Sequence, residues 1–259
     1  MMIMSSINSK TILIAAPGSG IGKSITTNLL EEGYRIIGIG TQKSKNFFEE
    51  LKLHGLDVLF YECDCTNDKQ VETVFKEMKT SITKIDGMLH LIGGSFFSKN
   101  ITDLSFEEYR KVISVNLDSA FLIGRETLGW MKETGGGNII LFGSTTGFKP
   151  SSKKLPYGIA KAGIHAMTWF FAQEGSNYNV ITNTISPGYV MTERHIEEIK
   201  EKAIKIGSSF EEIEEQVNKK NPLNQALFPT DIYPLVKLLL ETKHIQGQII
   251  RIDSGQILG

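Results

Sequence analysis

Hydrophobic residues along the chain alternate between two spacings. Short continuous apolar runs, such as Thr11–Ala15, are typical of strands buried on both faces of a parallel sheet. Between these runs apolar residues recur every three or four positions, as Ile21, Ile25 and Leu29 do, which predicts amphipathic helices. The pattern predicts strands at 11–15, 34–40, 57–63, 87–92, 138–142, 180–186 and 248–252. Strands that alternate with helices predict an α/β fold with one doubly wound sheet of about seven parallel strands.

One segment interrupts this alternation. A long helix is predicted to begin after Ser105, where Ser105 and Glu108 have the spacing of a capping box, and another runs from about Tyr157 to Gln173. Residues 193–222 instead contain two short apolar stripes among Glu and Lys residues. Because this insertion follows the sixth strand, we expect a small helical lid over the carboxyl edge of the sheet, where ligands bind. The alternative is a solvated helical hairpin. We expect residues 1–259 to form a single domain.

Composition and charge exclude several classes of protein. The apolar fraction is 41%, the charged fraction is 22% and the formal net charge is −1, values of a globular protein with a core. The absence of a basic field argues against a nucleic-acid partner. No apolar run reaches the ~18 residues that span a bilayer, so we expect no membrane partner. The first ten residues are polar, so we expect no secretory signal.

The two cysteines, Cys63 and Cys65, are separated by a single residue. A disulfide between residues so close in an extended segment has poor geometry. Two sulfurs without suitably spaced histidines also make no zinc site, and we expect no metal. We therefore expect reduced thiols and a cytoplasmic protein.

The glycine-rich turn after the first strand has two interpretations. As a triphosphate-binding loop it would use Lys23 on the phosphates and Ser24 on magnesium, although Pro17 replaces the first glycine of that motif. As a dinucleotide-binding turn it would let the backbone approach a pyrophosphate at the helix N-terminus. The turn alone does not decide between them.

A second group of residues carries acid–base chemistry. Tyr157 and Lys161 lie four residues apart and share one face of a predicted helix. A phenol has a pKa near ~10, and a neighbouring ammonium lowers it, so we expect Lys161 to lower the pKa of Tyr157. Ser144 follows the fifth strand and can polarise a carbonyl while Tyr157 transfers the proton. Asn116 is a polar position on an otherwise apolar helix face.

These residues resemble the motifs of the short-chain dehydrogenase/reductase family over essentially the whole chain. Residues 15–22 are similar to its TGxxxGxG turn, residues 157–161 to its YxxxK motif and residues 186–192 to its PGxxxT motif. The resemblance implies a Rossmann-like fold and hydride transfer between a nicotinamide coenzyme and a carbonyl or secondary alcohol. It also implies a catalytic tetrad. Tyr157 is the acid/base, Lys161 lowers its pKa, Ser144 orients the carbonyl, and Asn116 holds a water in a proton relay.

The resemblance further implies where the coenzyme binds. Asp64 lies where the family places an acidic residue against the adenine, and Thr192 would hold the nicotinamide carboxamide. The expected coenzyme-binding residues are Ala16, Ser19, Gly20, Ile21, Gly22, Thr41, Asp64, Cys65, Leu91, Gly93, Tyr157, Lys161, Pro187, Gly188, Val190 and Thr192.

The chain departs from the family's motifs at three places, one of which is Ser19, where some NADP-dependent members carry a basic residue. Ala16 replaces the first glycine of the turn. A methyl group is tolerated at this position if the backbone φ is negative. Residues 90–93 replace the family's NNAG, so the hydrogen bonds of two bracing amides must be made otherwise. We expect His90 to be a strand histidine with its hydrogen bonds satisfied, with a pocket residue as the alternative.

The choice of coenzyme depends on the end of the second strand. An acidic residue there would repel a 2′-phosphate, but Gly40 is followed by Thr41, Gln42 and Lys43. Thr41 can donate to a phosphate, and Lys43 or Lys45 can supply charge, so NADP(H) is favoured over NAD(H). The alternative is that both lysines are solvated and the selectivity is modest.

The function predicted from these observations is NADPH-dependent reduction of a ketone, or the reverse oxidation. The architecture resembles the family's 3-oxoacyl reductases, and the spacing of Tyr157 and Lys161 argues against its enoyl-reductase branch. Residues expected to line an apolar substrate pocket are Phe96, Phe97, Phe148, Tyr189, Met191 and His195. The helices at 105–133 and after Tyr157 are expected to form a homodimer or homotetramer. Two alternatives are a non-catalytic NADP-binding sensor or scaffold and a nucleotide hydrolase built on Lys23.

Overall fold

A computed structural model describes residues 10–219 and 221–258. Its strands are β1 Thr11–Ala15, β2 Arg35–Gly40, β3 Val58–Glu62, β4 Gly87–His90, β5 Gly137–Phe142, β6 Val180–Pro187 and β7 Ile249–Ile252. Its α-helices are α1 Gly20–Glu31, α2 Gln42–Leu53, α3 Asp68–Ser81, α4 Phe106–Ile113, α5 Ser119–Thr134, α6 Leu155–Gly175, α7 Glu193–Ile206, α8 Phe210–Asn218 and α9 Pro229–Glu241.

All seven strands pair in parallel, in the order β3-β2-β1-β4-β5-β6-β7. The strand order changes direction between β1 and β4, and in such sheets the crevice at this point, beyond the carboxyl ends of the strands, is where ligands bind. The predicted single-domain, doubly wound α/β fold is confirmed. In the described ranges, no helix combines the length and apolar character needed to cross a bilayer.

Helices cover both faces of the sheet because each carries one apolar stripe. One core layer lies beneath α3, α5 and α6, and the other beneath α1, α2 and α9. A third, smaller cluster joins α7 to α8 through Met191, Ile199, Ala203 and Ile213. The two amphipathic helices expected within 193–222 are therefore present, with their own small core.

Three local features differ from the sequence expectations. The α2 helix begins at Gln42, and because its first turn is polar, the spacing of apolar residues did not indicate where it starts. The β4 strand ends at His90, since Ile92 lies beyond the parallel pairing with β1. The capping box at Ser105 and Glu108 is formed, but the long helix is interrupted by a π-helical turn at Ser114–Asp118.

Candidate active site

The predicted acid–base residues lie together at the ends of β5 and α6. Tyr157 and Lys161 are one turn apart in α6, with the Lys161 ammonium 5.6 Å from the centroid of the Tyr157 ring. Ser144 follows β5, and its hydroxyl is close enough to the Tyr157 phenol to lower the pKa of that phenol. The same hydroxyl accepts from Thr146 N at 3.2 Å, which fixes its position. The fold therefore brings a phenol, a hydroxyl and an ammonium to one place.

Asn116 braces the chain segment that follows β4. It lies fully buried in the π-helical turn, and π turns inside α-helices are frequent at functional sites. Its Nδ2 donates to Gly94 O and Val112 O, both at 2.9 Å, and its Oδ1 accepts from Gly94 N at 3.1 Å. Two amides of the family's NNAG motif are absent from this chain. Asn116, which lies on a helix, makes hydrogen bonds in their place. The water-relay role of Asn116 stays a prediction.

Gly93 packs against both Asn116 and Lys161. A methyl group on Gly93 would lie 2.5 Å from Asn116 Oδ1 and 3.2 Å from Lys161 Nζ, so only glycine fits there. We call Gly93, Gly94 and the four predicted tetrad residues (Asn116, Ser144, Tyr157 and Lys161) the inner site.

Lys161 is buried without a carboxylate. Its side chain is 3% exposed, and Nζ donates to Phe142 O at 2.8 Å. No acidic group of the described ranges lies within ion-pair distance of it. Burial lowers the pKa of Lys161 to about 7. The buried ammonium is thus a donor whose charge responds to a ligand placed beside it.

The pKa of Tyr157 moves opposite to the sequence expectation. Burial raises it, and a hydrogen bond from Ser144 and the charge of Arg194 only partly oppose the rise. The Lys161 ammonium is instead directed to Phe142 O. The expected lowering is therefore wrong, since the pKa of Tyr157 is raised.

His90 is fully buried in β4 and only half satisfied. The Ser119 hydroxyl donates to Val115 O at 2.6 Å and therefore accepts from His90 Nε2 at 2.9 Å. His90 Nδ1 is buried without a hydrogen-bond partner in the described part of the chain. Burial and the charge of Lys161 lower the pKa of His90 to about 3, so the ring is neutral. His90 is a strand histidine as expected, but one of its two ring nitrogens is unsatisfied.

The turn after β1 has the geometry of an anion site. Ala16 has a φ of +65°, so the condition under which its methyl group would be tolerated without strain is not met, and the methyl group sits in left-handed backbone. Gly22 has no room for a side chain because Ala16 O lies against its Cα. The N-cap Ser19 makes no side-chain capping bond, and the first turn of α1 contains no acid. Its backbone N–H groups therefore fit a coenzyme pyrophosphate.

The rival interpretation of this turn needs Lys23 at the phosphates. Instead, Lys23 is exposed, and its ammonium lies 5.5 Å from the centroid of the Phe47 ring on α2. The side chain thus packs on a neighbouring helix, and the turn offers backbone groups only.

At the end of β2, where the 2′-phosphate of the coenzyme is expected, some of the charged side chains form ion pairs. Thr41 caps α2 without a side-chain bond and is exposed, as is Lys43. Lys45 forms an ion pair with Glu62 at 3.2 Å, because the β2–β3 pairing places Glu62 opposite Gly40. Sequence order alone did not indicate this acid.

The remaining expected coenzyme contacts follow β3, β4 and β6. Asp64 Oδ1 accepts from Thr66 N at 3.0 Å and from its hydroxyl at 2.7 Å, which closes a tight turn. Cys65 is buried with its thiol near Cys63 O, and Leu91 N donates to Ala15 O. At the end of β6, Pro187 and Val190 are buried, and Gly188 N donates to Ile252 O. Ile21 and Gly20 open α1.

The first turn of α7 reaches across the carboxyl edge of the sheet. A methyl group on Gly20 would lie 3.2 Å from the Thr192 methyl, and one on Gly94 would lie 3.6 Å from Arg194 Nη1. Beside Gly94, Lys154 Nζ donates to Ser95 Oγ at 2.9 Å. We call Ser95, Lys154, Arg194 and His195 the outer site.

The aromatic residues expected in the substrate pocket are divided. Tyr189 stacks on His195 with ring centroids 4.6 Å apart, and Phe96 is half-exposed. Phe148 instead stacks on His165, at 4.3 Å, and Met191 is buried in the cluster of α7 and α8. Sequence reasoning missed Arg194 and Lys154. Their signal was position, two residues after Thr192 and three before Tyr157.

Comparison with known proteins agrees with this geometry. A family model described as Enoyl-(Acyl carrier protein) reductase matches residues 15–256. D-beta-hydroxybutyrate dehydrogenase of Cupriavidus necator is 28% identical over 256 residues, covering 97% of this chain and 99% of that protein. Acetoacetyl-CoA reductase of Allochromatium vinosum is 31% identical over 184 residues, covering 70% of this chain and 74% of that protein. The structure of an actinorhodin polyketide ketoreductase with NADPH superposes with a TM-score of 0.87 at 22% identity, covering 98% and 99% of the two chains.

Fold and relatives define an NAD(P)-dependent oxidoreductase. The chain belongs to the short-chain dehydrogenase/reductase family and resembles its 3-oxoacyl reductase-like members. The hydrolase alternative built on Lys23 is therefore set aside.

Proposed function

We propose that this protein reduces a ketone with NADPH, or catalyses the reverse oxidation, with Tyr157 as the proton donor or acceptor. The observation that carries the proposal is the convergence of Tyr157, Ser144 and Lys161 beside Gly93. A bound nicotinamide coenzyme supplies the hydride. Two relatives named for a 3-hydroxy acid and a 3-oxoacyl thioester support a carbonyl substrate.

Each residue of the inner site has a separate task. Ser144 hydrogen-bonds the carbonyl oxygen and holds it beside the Tyr157 phenol. Tyr157 gives its proton to that oxygen as negative charge develops there. Lys161, a buried donor in this group, would hold the coenzyme ribose, and its charge there would favour the phenolate. Asn116 keeps Gly93 and Gly94 against this group.

NADPH is proposed as the coenzyme because of the end of β2. Thr41 and the uncapped first turn of α2 offer donors to a 2′-phosphate, and Lys43 adds charge. Glu62 is neutralised by Lys45, so it presents little repulsion. Fluorescence titration should show tighter binding of NADPH than of NADH. Tighter binding of NADH would reverse this choice.

The catalytic assignment is tested by Tyr157→Phe. We expect kcat to fall by about 10²- to 10⁴-fold, because the proton donor is lost while the ring and its packing remain. The affinity for NADPH, measured by fluorescence, should change less than about twofold. Tyr178→Phe is the matched control, because Tyr178 is an exposed tyrosine beyond α6.

The substrates for this test are ketones, oxoacyl thioesters and enoyl thioesters, with NADPH consumption as the readout. Unchanged turnover in Tyr157→Phe would refute its role. Reduction of the enoyl thioester alone would favour the chemistry named in the family model over ketone reduction. Binding of NADPH without turnover of any compound would favour a sensor or scaffold.

A further inference from the structure

The outer site places two cations at the entrance to the inner site. Arg194 Nη1 lies near Gly94, and Lys154 donates to the adjacent Ser95. Arg194 comes from α7 and Lys154 from the start of α6, so two separate elements bring positive charge to one short segment. The charge of Arg194 also acts on the Tyr157 phenol, which places it within electrostatic reach of the reacting group.

The orientation of Arg194 is set by its neighbour. His195 Nδ1 donates to Val190 O at 2.6 Å, so Nε2 is the acceptor and receives a hydrogen bond from Arg194 Nη2 at 3.3 Å. On the other side, Arg194 Nε pairs with Glu198 at 3.3 Å. Within the described ranges Nη1 makes no hydrogen bond or ion pair. The guanidinium is therefore held by two of its nitrogens and presents the third toward Gly94.

The charges here do not cancel. Glu198 is the only carboxylate within ion-pair distance of Arg194 in the described ranges, and both side chains are more than half exposed, so their pair is weak. Lys154 has no carboxylate within that distance among the described residues. His195 is neutral, because burial lowers its pKa. One positive charge thus remains unbalanced.

The wall beside these cations is apolar. The Phe96 ring lies over Gly94, where an added methyl group would be 3.3 Å from Phe96 Cζ, and Phe96 adopts a φ of +50°. Phe97 N donates to Ser95 O at 2.5 Å, which closes this turn. A ligand here meets a ring on one side and cationic donors on the other, an arrangement that fits a short carbon chain ending in an anion.

We propose that the substrate carries a carboxylate close to its ketone, and that Arg194 and Lys154 bind this carboxylate. The proposal rests on the proposed function for the ketone itself. A guanidinium presents paired donors in one plane, which match the two oxygens of a carboxylate. The Ser95 hydroxyl, held by Lys154, is a third donor. Arg194 and Lys154 are thus specificity residues, whereas Tyr157 performs the proton transfer.

Binding is measured first, without turnover. Isothermal titration calorimetry of the NADPH-saturated protein with butyrate and butyramide compares a carboxylate with its neutral isostere. We expect butyrate to bind more tightly in the wild type, and Arg194→Gln to weaken butyrate about 10- to 100-fold while leaving butyramide unchanged. Lys154→Gln should weaken butyrate about tenfold. Lys200→Gln, an exposed cation of the same helix, is the matched control and should change neither affinity.

Turnover is measured second, with acetoacetate and ethyl acetoacetate. Arg194→Gln should lower kcat/KM about 10- to 100-fold more for the acid than for the ester, because the effect of its charge on the Tyr157 phenol is common to both substrates. Three results would overturn the proposal: equal binding of butyrate and butyramide by the wild type, unchanged butyrate binding in Arg194→Gln, or a loss of NADPH affinity in that variant that exceeds its loss of butyrate affinity.

The two proposals fail differently. Tyr157-dependent reduction of neutral ketones, with no preference for the acid, would retain the proposed function and reject the carboxylate site. Arg194-dependent binding of butyrate without reduction of any ketone would retain the site and reject the function.

Discussion

The inner and outer sites are adjacent but are built in different ways. In the inner site, Asn116 and Lys161 are buried and bind backbone atoms of Gly94 and Phe142. In the outer site, Arg194 is held by His195 and by an exposed pair with Glu198, all on its own helix. The backbone fixes the groups proposed for the chemistry, whereas side chains from an inserted helix and from the start of α6 present those proposed for specificity. A substitution in the inner site should therefore affect stability and turnover together, but one in the outer site should affect binding of the acidic substrate more than stability.

The largest combined effect on stability and turnover is expected from Asn116→Ala. It leaves the N–H and C=O of Gly94 and the C=O of Val112 without their buried partner, so we expect a loss of about 1–3 kcal/mol in the free energy of unfolding. Displacement of Gly93 and Gly94 should also lower kcat by about 100-fold. Urea unfolding and steady-state kinetics measure the two quantities.

Asn28→Ala is the matched control for this prediction. Asn28 Nδ2 also bonds a backbone carbonyl, Ser24 O at 2.7 Å, but on the partly exposed surface of α1. Its removal should cost less than about 0.5 kcal/mol. Equal losses in the two variants would show that the inner site is no more constrained than the surface.

The next effect concerns acid stability. His90 has a pKa of about 3 in the fold and an ordinary histidine value when unfolded, so the unfolded chain binds the extra proton between these values. Acidification from about pH 6.5 to 3 should therefore destabilise the fold, by up to about 1.4 kcal/mol per pH unit for this one group.

His90→Asn should flatten this dependence, because it removes the buried titrating ring. His165, with a pKa lowered to about 4 by burial and by Lys161, will retain part of it. Urea unfolding at pH 7, 5.5 and 4 measures the slope, with the exposed His54→Asn as control. Identical slopes in wild type and His90→Asn would contradict the assignment of His90.

The smallest effect is expected from Ala16→Gly. Because Ala16 has a left-handed φ, glycine should stabilise the fold by about 1 kcal/mol. Ala15→Gly, one residue earlier in the buried strand β1, should destabilise it by about 0.5–1 kcal/mol. Opposite signs in urea unfolding would confirm that the turn is strained at one residue, and equal signs would deny it.

Most of the fold follows from local patterns in the sequence. Apolar runs and glycines at their ends located every strand within a few residues. The end of the fifth strand drew attention to Ser144, whereas Thr192 followed from the family resemblance. The left-handed φ of Ala16 could not be predicted from the sequence, because it is the packing of the turn against Gly22 that imposes this strained backbone conformation. The ion pair of Lys45 with Glu62 depends on lateral strand pairing, which sequence order does not contain.

Arg194 was missed for a related reason. From the sequence, a charged residue in the first turn of an amphipathic helix is expected to be exposed to solvent. Only the placement of α7 over Gly94 shows that Arg194 faces the site. The π-helical turn was missed because the residues around Asn116 have ordinary helical spacing on either side of it. Regular elements were thus predictable, and departures from them were not.

The π-helical turn at Ser114–Asp118 adds a residue to what would otherwise be one straight helix. Each residue of an α-helix advances the side-chain direction by about 100°. If one residue were deleted here, Asn116 could keep its place only if Ala120 and Ile123 rotated away from the sheet. The single extra residue thus lets Asn116 point to the inner site while Ala120 and Ile123 point to the sheet. A one-residue deletion would therefore be more damaging here than at any exposed loop.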